Sequence, residues 1–402
     1  MKISYVTMQF PAPSETFASN DIKALNDLGV NISVYSLKGK IKNYNSLIKS
    51  RGLEEIKCIS GDIKKNLLGI FFIFKNLFLF FSLVSWFFKN DFNKPKHLIK
   101  MVALIPMSFY IFEKLKKEKP DIVHLFWGHY PSLVGYLVKK KIPDTKLSIF
   151  LGAYDLEYAL GVSKSLSKSV DFIFTHASAN LEQLKNLGID ISKVTVVHRG
   201  TTVSKFLPLI ENISKDKNSW LTVGRLLPSK GFDKVIDLFS KYKKTNPNSK
   251  LNIVGEGIFK SDLEKMVRKL DLEDSVNFLG YIEHKDVLKQ MAKANVFFLL
   301  SSKMGERLPN VLKEAMLSKC ICVSSKTPGI EELIEDGKNG FIFEEKDYEN
   351  ILNILNSLNY DEQEIIRDNA RKKILENFDV EVSMKKYLEL WQIKGKNEHL
   401  DI

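Results

Sequence analysis

Short apolar runs and amphipathic stretches alternate along the whole chain, and this alternation is the strongest constraint on its fold. Most of the runs are continuously apolar, as in strands buried on both faces of a parallel sheet. Stretches with helical spacing, such as residues 259–270, fill the gaps between the runs. The runs predict strands at residues 2–7, 31–37, 121–126, 146–151, 172–176, 193–198, 220–224, 250–255, 276–280, 296–301 and 320–325.

Strand–helix alternation in both halves predicts an α/β fold with two Rossmann-like domains, each a doubly wound parallel sheet. A chain of 402 residues also exceeds what one hydrophobic core usually holds. We expect a first domain at residues 1–205, a second at 215–378, and a C-terminal helix within 379–402 that returns toward the first domain. The polar stretch ENISKDKNS (211–219) is the predicted linker.

The net charge of +12 is unevenly distributed, because the whole positive excess falls within the first 210 residues. A basic half favours an anionic partner, either a phospholipid surface or a nucleic acid. Bidentate recognition of bases and phosphates uses arginine, and this half contains only Arg51 and Arg199. We therefore expect an anionic membrane surface as a partner of the first domain, and no nucleic acid.

The three cysteines offer no disulfide framework, which fits the reducing cytoplasm. Cys320 and Cys322 lie in the apolar run CICVSS with no ligand nearby at zinc spacing, so we expect buried thiols in a strand. The N-terminus has one lysine and a short apolar run before Pro11, unlike a signal peptide. These features predict a cytoplasmic location.

Residues 66–88 are long and apolar enough to cross a bilayer, but Lys75 and Asn76 fall in the middle of the run. Three structures stay open: a spanning helix, a buried or amphipathic helix, and a helix that dips into a membrane surface. A spanning helix would split the first α/β domain. Basic neighbours favour the dipping helix. The flanking lysines are Lys64, Lys65, Lys89, Lys94, Lys96 and Lys100.

Two glutamates eight positions apart lie in the stretch GERLPNVLKEAM (305–316). Proline is tolerated in a first helical turn, so Pro309 predicts a helix that begins near residues 308–310. Glu306 then precedes the helix and Glu314 lies one turn inside it, at the carboxyl end of a predicted strand. Open α/β sheets bind ligands at that edge. The spacing fits equally well a surface acid at a helix N-terminus and a second acid on a solvated face.

Two further loops follow predicted strands of the second half. In GRLLPSKG (224–231), Arg225 and Lys230 precede a helix and suit a phosphate or diphosphate, although exposed loop cations are common. The GEG turn (255–257) is a weak phosphate-loop signal. The chain contains no G-x-G-x-x-G, no G-x-x-x-x-G-K-[ST] and no Asp-x-Asp. These absences argue against a dinucleotide dehydrogenase, a P-loop NTPase and a metal-held diphosphate.

Taken in order, four motifs resemble glycosyltransferase family 4, the retaining transferases of the GT-B class. GRLLPSKG resembles the family's G-R-x-x-x-x-K-G, and GEG its glycine turn. SSKMGERLPNVLKEAM resembles its E-x7-E motif, and TPGIEELIEDGKNGFIF (327–343) the usual sequel. The stretch FPAPSETFASNDIKAL is similar to transferases of exopolysaccharide synthesis, including the colanic acid type.

The resemblance implies roles for the matching positions, in the cleft between the two domains of a GT-B enzyme. Arg225 and Lys230 would contact the nucleotide diphosphate beside the glycine turns. Glu314 would bind the ribose hydroxyls, and Glu306 would face the donor sugar. The implied donor-binding glycines are Gly224, Gly255 and Gly257; the implied phosphate cradle is the backbone of Leu308, Pro309, Asn310 and Val311; the implied base pocket is Gly280, Tyr281 and Ile282.

Some positions depart from the family pattern. Arg307 stands where the family often has glycine, and the first loop, TMQFPAPSETF, contains no glycine. Leu151 stands where many members carry a histidine. His124, His129 and Asp155 are therefore our candidates for a role near the acceptor, and Glu306, His129 and Asp155 are the predicted catalytic residues.

We expect a retaining, metal-independent hexosyltransferase with no cofactor and a UDP- or GDP-linked sugar as donor. Its acceptor would be a glycan or a polyprenyl-linked saccharide of surface polysaccharide synthesis. The enzyme would lie on the inner face of the cytoplasmic membrane. Two alternatives stay open: a GT-B nucleotide-sugar epimerase, and a non-catalytic scaffold on the membrane surface.

Overall fold

The computed structural model describes residues 1–13, 15–302, 307–344 and 349–396. The chain forms two compact units, one of Met1–Arg199 with the residues from Ser383 onward, and one of Gly200–Val382. The first boundary therefore lies a few residues before the predicted end of the first domain at residue 205. All eleven predicted strands are present within a few residues of their expected bounds.

The first unit is built on a seven-stranded parallel sheet with the order β3-β2-β1-β4-β5-β6-β7. Its strands are β1 (Lys2–Thr7), β2 (Asn31–Ser36), β3 (Lys57–Ser60), β4 (Ile122–Phe126), β5 (Lys146–Phe150), β6 (Phe172–Thr175) and β7 (Val194–Val196). The strand order reverses between β1 and β4, so the loops after these two strands diverge at the carboxyl edge. The short strand β3 was missed because only two of its residues, Cys58 and Ile59, are apolar.

Helices connect these strands. They are α1 (Thr16–Asp27), α2 (Tyr44–Ser50), α3 (Ile63–Lys75), α4 (Leu77–Asp91), α5 (Pro95–Glu118), α6 (Ser132–Lys141), α7 (Ala153–Tyr158), α8 (Gly161–Ser167) and α9 (Leu181–Asn186). From Ser383 onward the last helix, α17 (Val380–Lys396), also belongs to this unit. The Ser383 hydroxyl donates to the His198 carbonyl at 2.7 Å, and the Trp391 indole donates to Ser148 Oγ at 3.2 Å.

Residues 66–88 form two helices and not the single helix that the sequence predicts. Helices α3 and α4 meet at 103° around Asn76, whose side-chain amide donates to the Phe72 carbonyl at 2.9 Å. Helix α3 is pressed against α5, because a Cβ at Gly69 would lie 1.9 Å from the Pro106 carbonyl oxygen. Among the described residues no single helix meets the length and hydropathy of a membrane span; α3 and α4 meet them only together.

The second unit is built on a six-stranded sheet with the order β10-β9-β8-β11-β12-β13. Its strands are β8 (Asp216–Val223), β9 (Lys250–Val254), β10 (Val276–Gly280), β11 (Ala294–Leu299), β12 (Ile321–Ser325) and β13 (Phe341–Phe343). Its helices are α10 (Val203–Ile210), α11 (Phe232–Thr245), α12 (Lys260–Lys269), α13 (His284–Lys293), α14 (Asn310–Leu317), α15 (Asn350–Ser357) and α16 (Tyr360–Asn377). Here the order reverses between β8 and β11. Cys320 and Cys322 are buried free thiols, as predicted.

The predicted linker at residues 211–219 is wrong, because this stretch lies inside the second unit and its end belongs to β8. The Lys215 ammonium donates to the carbonyl oxygens of Ala294 and Ser318 at 2.8 Å and of Met291 at 3.1 Å. Burial lowers the pKa of Lys215. A buried lysine held by distant carbonyls leaves no trace in local composition, which reads as polar and linker-like.

Candidate active site

Loops at the carboxyl edge of the second sheet are joined to one another by backbone hydrogen bonds. The Leu226 N–H, after β8, donates to the Glu256 carbonyl, after β9, at 3.0 Å. The Gly255 N–H donates to the Gly280 carbonyl, at the end of β10, at 2.8 Å. The three predicted donor loops are therefore brought together as one continuous surface of backbone.

This surface requires glycine at two predicted positions. Gly255 has a φ of +136°, and a Cβ there would lie 1.9 Å from the Gly224 carbonyl oxygen. A Cβ at Gly257 would lie 2.2 Å from the Leu226 carbonyl oxygen. Any side chain at either position would push the loops apart, so the GEG turn is fixed by steric exclusion and by backbone conformation.

The two predicted cations lie on the loop between β8 and α11. Arg225 is exposed, and Lys230 is half-buried at the end of a 3₁₀ turn, Pro228–Lys230. The Ser229 carbonyl accepts the Ser302 N–H at 3.0 Å, which fastens this loop to the one after β11. The loops on both sides of the strand-order reversal thus lie together, where a doubly wound sheet binds its ligand.

Helix α14 begins at Asn310, as Pro309 predicts. Pro309 occupies the N-cap position, and its side chain cannot accept a hydrogen bond from the N–H groups of the first turn. Leu308, just before it, is buried with a φ of +48°, a conformation that costs a non-glycine residue free energy. The predicted residue Glu306 lies outside the described residues.

Glu314 lies on α14 with its side chain 12% exposed, and its Oε1 is 3.1 Å from Nε2 of His284. The hydrogen bond to Glu314 raises the pKa of His284, and partial burial opposes this. His284 opens α13 and packs edge-on against Phe206. No sequence motif contains this histidine, so the sequence alone does not predict it.

The predicted base pocket includes an exposed tyrosine ring. Gly280 has a φ of +65°, and Tyr281 follows it with 81% of its surface exposed. Ile282 is half-buried beside it. An aromatic face held at a sheet edge in this way is available for stacking against a planar ligand.

Arg307, the departure from the family pattern, is half-buried, so it does not simply point into solvent. Burial lowers its pKa, and the nearby Glu332 carboxylate raises it. The guanidinium therefore has an acidic neighbour within the second unit. This neighbouring carboxylate offsets part of the charge that Arg307 would otherwise present to a ligand.

In the first unit, a cavity of about 410 Å³ lies at the reversal between β1 and β4. The loop after β1 contributes Met8 and Glu15, and the loop after β4 contributes His129. Lys38 and Lys100 line it from two other elements. Small-molecule sites typically span roughly 300–1,000 Å³, so the volume suits one ligand of modest size.

Three tyrosines also line this cavity, and their neighbours fix them. The rings of Tyr154 and Tyr158 are stacked with centroids 5.8 Å apart. The Tyr130 hydroxyl is 2.8 Å from Nδ1 of His97, and the Lys94 ammonium donates to the Tyr158 carbonyl at 2.7 Å. Aromatic faces with hydroxyl groups at their edges suit a ligand that is part apolar and part polar, as a sugar ring is.

His129 is brought to the cavity, but as a neutral side chain. Its Nδ1 accepts the Tyr130 N–H at 2.7 Å, so the ring proton lies on Nε2. Burial, with smaller contributions from His97 and Lys38, lowers its pKa to about 3. His129 is therefore suited to donate a hydrogen bond, and it is poorly suited to accept a proton from a substrate hydroxyl.

Asp155 and His124 are not among the residues that line this cavity. Asp155 caps α7, with Oδ2 accepting the Gly152 N–H at 3.0 Å, and burial raises its pKa to about 7. His124 lies in β4, packed among aromatic rings, with Nδ1 2.9 Å from Ser148 Oγ. The structure thus assigns both residues packing and capping contacts.

The comparisons with known proteins agree with this architecture. Residues 205–374 match the family model described as glycosyl transferases group 1. The amylovoran biosynthesis glycosyltransferase AmsK of Erwinia amylovora is 24% identical, over 97% of this chain and 99% of its own length. An N-acetylgalactosaminyltransferase of Campylobacter jejuni, whose name specifies N-acetylgalactosamine-N,N'-diacetylbacillosaminyl-diphospho-undecaprenol, is 30% identical over 44% of this chain and 48% of its own length.

Among solved structures, HepE of Anabaena, in complex with UDP, superposes with a TM-score of 0.69 at 17% identity. The match covers 98% of this chain and 100% of HepE. This likeness concerns the fold. Together with the two Rossmann strand orders, it confirms the GT-B class that the sequence predicts.

Proposed function

We propose that this chain moves a sugar from a nucleotide diphosphate to a glycan or lipid-linked acceptor, since residues 205–374 match the family model of glycosyl transferases group 1. The carrying observation is the carboxyl edge of the second sheet. There the Arg225–Lys230 loop is hydrogen-bonded both to the GEG turn and to the loop after β11, at the strand-order reversal. The epimerase and scaffold alternatives gain no support from the comparisons.

In this proposal the second unit holds the donor. Arg225, Lys230 and the N-terminus of α14 stabilise the charge that develops on the diphosphate as the glycosidic bond breaks. The Glu314 carboxylate accepts hydrogen bonds from the ribose hydroxyls, and Tyr281 stacks on the base. For Glu306, which lies outside the described residues, we propose a role at the donor sugar on the basis of the motif alone. The UDP bound by HepE supports a uridine diphosphate donor, with a guanosine diphosphate donor as the other option.

We further propose that transfer retains the anomeric configuration and needs no metal. The acceptor hydroxyl attacks from the side of the departing diphosphate, which takes up the hydroxyl proton. No side chain then has to act as the base, which agrees with the neutral form of His129, whose Nδ1 already accepts the Tyr130 N–H. Proton NMR of the product tests the stereochemistry: we expect the donor's anomeric configuration, and an inverted product would contradict it.

The surface of α3, α4 and the residues that follow supports the proposed attachment to an anionic membrane. We name this surface the apolar elbow; its exposed members are Ile63, Leu67, Leu68, Ile70, Phe71, Phe74, Leu77, Phe78, Phe81, Phe88 and Phe92. Phe78 is 86% and Phe74 69% exposed, and the Lys75 ammonium lies 4.5 Å above the Phe71 ring. Contiguous apolar side chains beside lysines suit an anionic lipid surface, here the inner face of the cytoplasmic membrane.

Vesicle sedimentation tests this attachment. We expect the protein to pellet with vesicles containing phosphatidylglycerol at low salt, and Phe78→Asp to release most of it. Ile365→Asp is the matched control, since Ile365 is 59% exposed on the second unit. A protein that stays in the supernatant, or equal release by both variants, would contradict the proposal.

The central test of function uses a panel of UDP- and GDP-linked sugars. We expect calorimetric binding of UDP or GDP, and slow hydrolysis of one donor without acceptor. Glu306→Ala should abolish hydrolysis while the protein still binds the nucleotide. A chain that binds neither nucleotide and turns over no donor would overturn the proposed function.

A further inference from the structure

A histidine outside the sequence motifs contacts a motif residue of the proposed donor site. Nε2 of His284, the first residue of α13, lies 3.1 Å from Oε1 of Glu314 on α14. The Glu314 side chain is 12% exposed, so its carboxylate has lost most of its contact with water and is stabilised by a hydrogen-bond donor. His284 therefore belongs to the surroundings that set the orientation of this carboxylate.

Packing also holds the imidazole in place. The His284 ring meets Phe206 of α10 edge-on, with the ring centroids 5.1 Å apart and an interplanar angle of 77°. A ring in contact with both an aromatic side chain and a carboxylate loses rotational freedom, so it can hold Glu314 in one orientation. The His284 side chain is nevertheless 54% exposed, which leaves it able to exchange protons with the solvent.

The charge of His284 depends on groups from two neighbouring helices. The hydrogen bond with Glu314 raises its pKa, while partial burial and Lys205 of α10 lower it. Because the net shift is upward from the usual value, the ring changes charge near neutral pH. Other charged groups on or beside α13 have partners of their own: Glu283 with Lys285, Asp286 with Lys289, and Lys215 with the Met291 carbonyl.

The Glu314 carboxylate has room for His284 and a ribose at the same time. Its two oxygens offer about four acceptor positions, and His284 uses one of them, on Oε1. Two ribose hydroxyls can use others. A protonated His284 also adds a positive charge to the site, and this charge attracts the anionic diphosphate of a nucleotide.

We propose that His284 is a positioning residue of the donor site: it orients the Glu314 carboxylate for the ribose, and its charge makes nucleotide binding depend on pH. The neutral imidazole still donates through Nε2–H, because the carboxylate selects that tautomer. The orientation therefore persists at high pH, while the attraction for the diphosphate is lost as the ring deprotonates. This inference rests on the proposed function and adds a regulation of the same site.

The charge is tested by calorimetric titration of UDP at pH 6 and pH 9 into the unmodified protein, His284→Gln and His284→Lys. Glutamine keeps a hydrogen-bond donor without the charge, and lysine keeps the charge at both pH values. We expect the unmodified protein to bind about fivefold more tightly than His284→Gln at pH 6 and equally at pH 9, the effect of one partly screened charge. His284→Lys should bind more tightly than His284→Gln at both.

Two features of this design isolate His284. Each ratio compares two proteins at one pH, so the titration of the phosphate groups of UDP cancels. Lys293→Gln is the matched control, because it removes a positive charge from an exposed residue at the other end of α13. It should bind UDP as the unmodified protein does at both pH values.

The orientation is tested at pH 9, where the charge is absent. His284→Ala removes the hydrogen-bond donor, so it should bind UDP about 2- to 10-fold more weakly than His284→Gln, the net effect of one hydrogen bond. With 2',3'-dideoxy-UDP, which lacks both ribose hydroxyls, the two variants should bind alike. A merely structural role of His284 would weaken both ligands equally.

The possible results distinguish this inference from the function on which it rests. An affinity ratio between the unmodified protein and His284→Gln that is the same at both pH values would overturn the pH dependence. Equal UDP binding by His284→Ala and His284→Gln would overturn the orienting role. Either result, with UDP still bound, leaves the donor function standing. A protein that binds neither UDP nor GDP would overturn both.

Discussion

The two strand-order reversals differ in what they present to a ligand. At the second sheet the surface is mostly backbone, with glycine turns in close contact and the N-terminus of α14. At the first sheet the surface is made of side chains, including Lys38, Lys100 and three tyrosines. A backbone surface fits a diphosphate that many enzymes share, while a side-chain surface can be changed residue by residue to fit one acceptor.

The largest expected effect comes from breaking the backbone surface. Gly255→Ala places a Cβ 1.9 Å from the Gly224 carbonyl oxygen at a φ of +136°, so the two loops must separate. We expect UDP affinity to fall at least 100-fold in calorimetry. Gly337→Ala is the control: its φ of +74° lies in the left-handed region, where alanine costs about 1–2 kcal/mol, and no atom lies within 4 Å of the added Cβ. Equal binding by both variants would show that the backbone surface is not the donor site.

The sequence predicts the loops of the second sheet because their contacts are made by backbone atoms. Backbone contacts impose glycine at fixed spacings, so Gly224, Gly255 and Gly257 stand in a readable pattern with Arg225 and Lys230. The cavity residues Glu15, Lys38 and Lys100 are far apart in the chain and are brought together only by the fold. No local pattern marks them.

The errors in the fold have a similar origin. Residues 211–219 look like a linker because their composition is polar, yet Lys215 is held by three distant carbonyls. Residues 66–88 look like one helix because their hydropathy is continuous, yet the chain bends by 103° at Asn76, whose side-chain amide donates to the Phe72 carbonyl. Both features involve contacts of individual side chains, which an average over composition or hydropathy does not reveal.

The ribose contact gives the next largest expected effect. Glu314→Gln removes the charge that would accept two hydroxyl hydrogen bonds, so we expect UDP to bind about 10- to 100-fold more weakly. The matched ligand is 2',3'-dideoxy-UDP, whose affinity should be nearly the same for both proteins. If the substitution weakens both ligands equally, Glu314 does not contact the ribose.

Stacking on Tyr281 should contribute less. An aromatic contact is worth about 0.5–1.5 kcal/mol, so Tyr281→Ala should weaken UDP binding by about 2- to 10-fold. Tyr281→Phe keeps the ring and should restore the affinity. A loss of similar size with phenylalanine would point to the hydroxyl and not to the aromatic face.

The last prediction concerns Asp155 and appears as a pH dependence of stability, not as a change in ligand affinity. Its folded pKa of about 7 lies above the unfolded value, so the folded state binds the extra proton and loses stability as pH rises from about 4 to 7. Asp155→Asn removes this loss. The difference in melting temperature between Asp155→Asn and the unmodified protein should therefore shift in favour of the variant from pH 5 to pH 8. The shift should be roughly 2–4 °C for each kcal/mol of stability that the unmodified protein loses. A constant difference would mean that the Asp155 carboxyl titrates alike in both states.

Hydrogen exchange with each ligand tests the central comparison most directly. We predict that UDP slows exchange in the second unit, at the loops around Gly224, Gly255 and Tyr281 and at the start of α14. A sugar linked through diphosphate to farnesol, used as a lipid-linked acceptor, should slow exchange in the first unit, at the loop that contains His129 and at the Lys38 loop. Protection of the His129 loop by UDP alone, with the second-unit loops unchanged, would contradict the assignment of donor and acceptor to the two sheets.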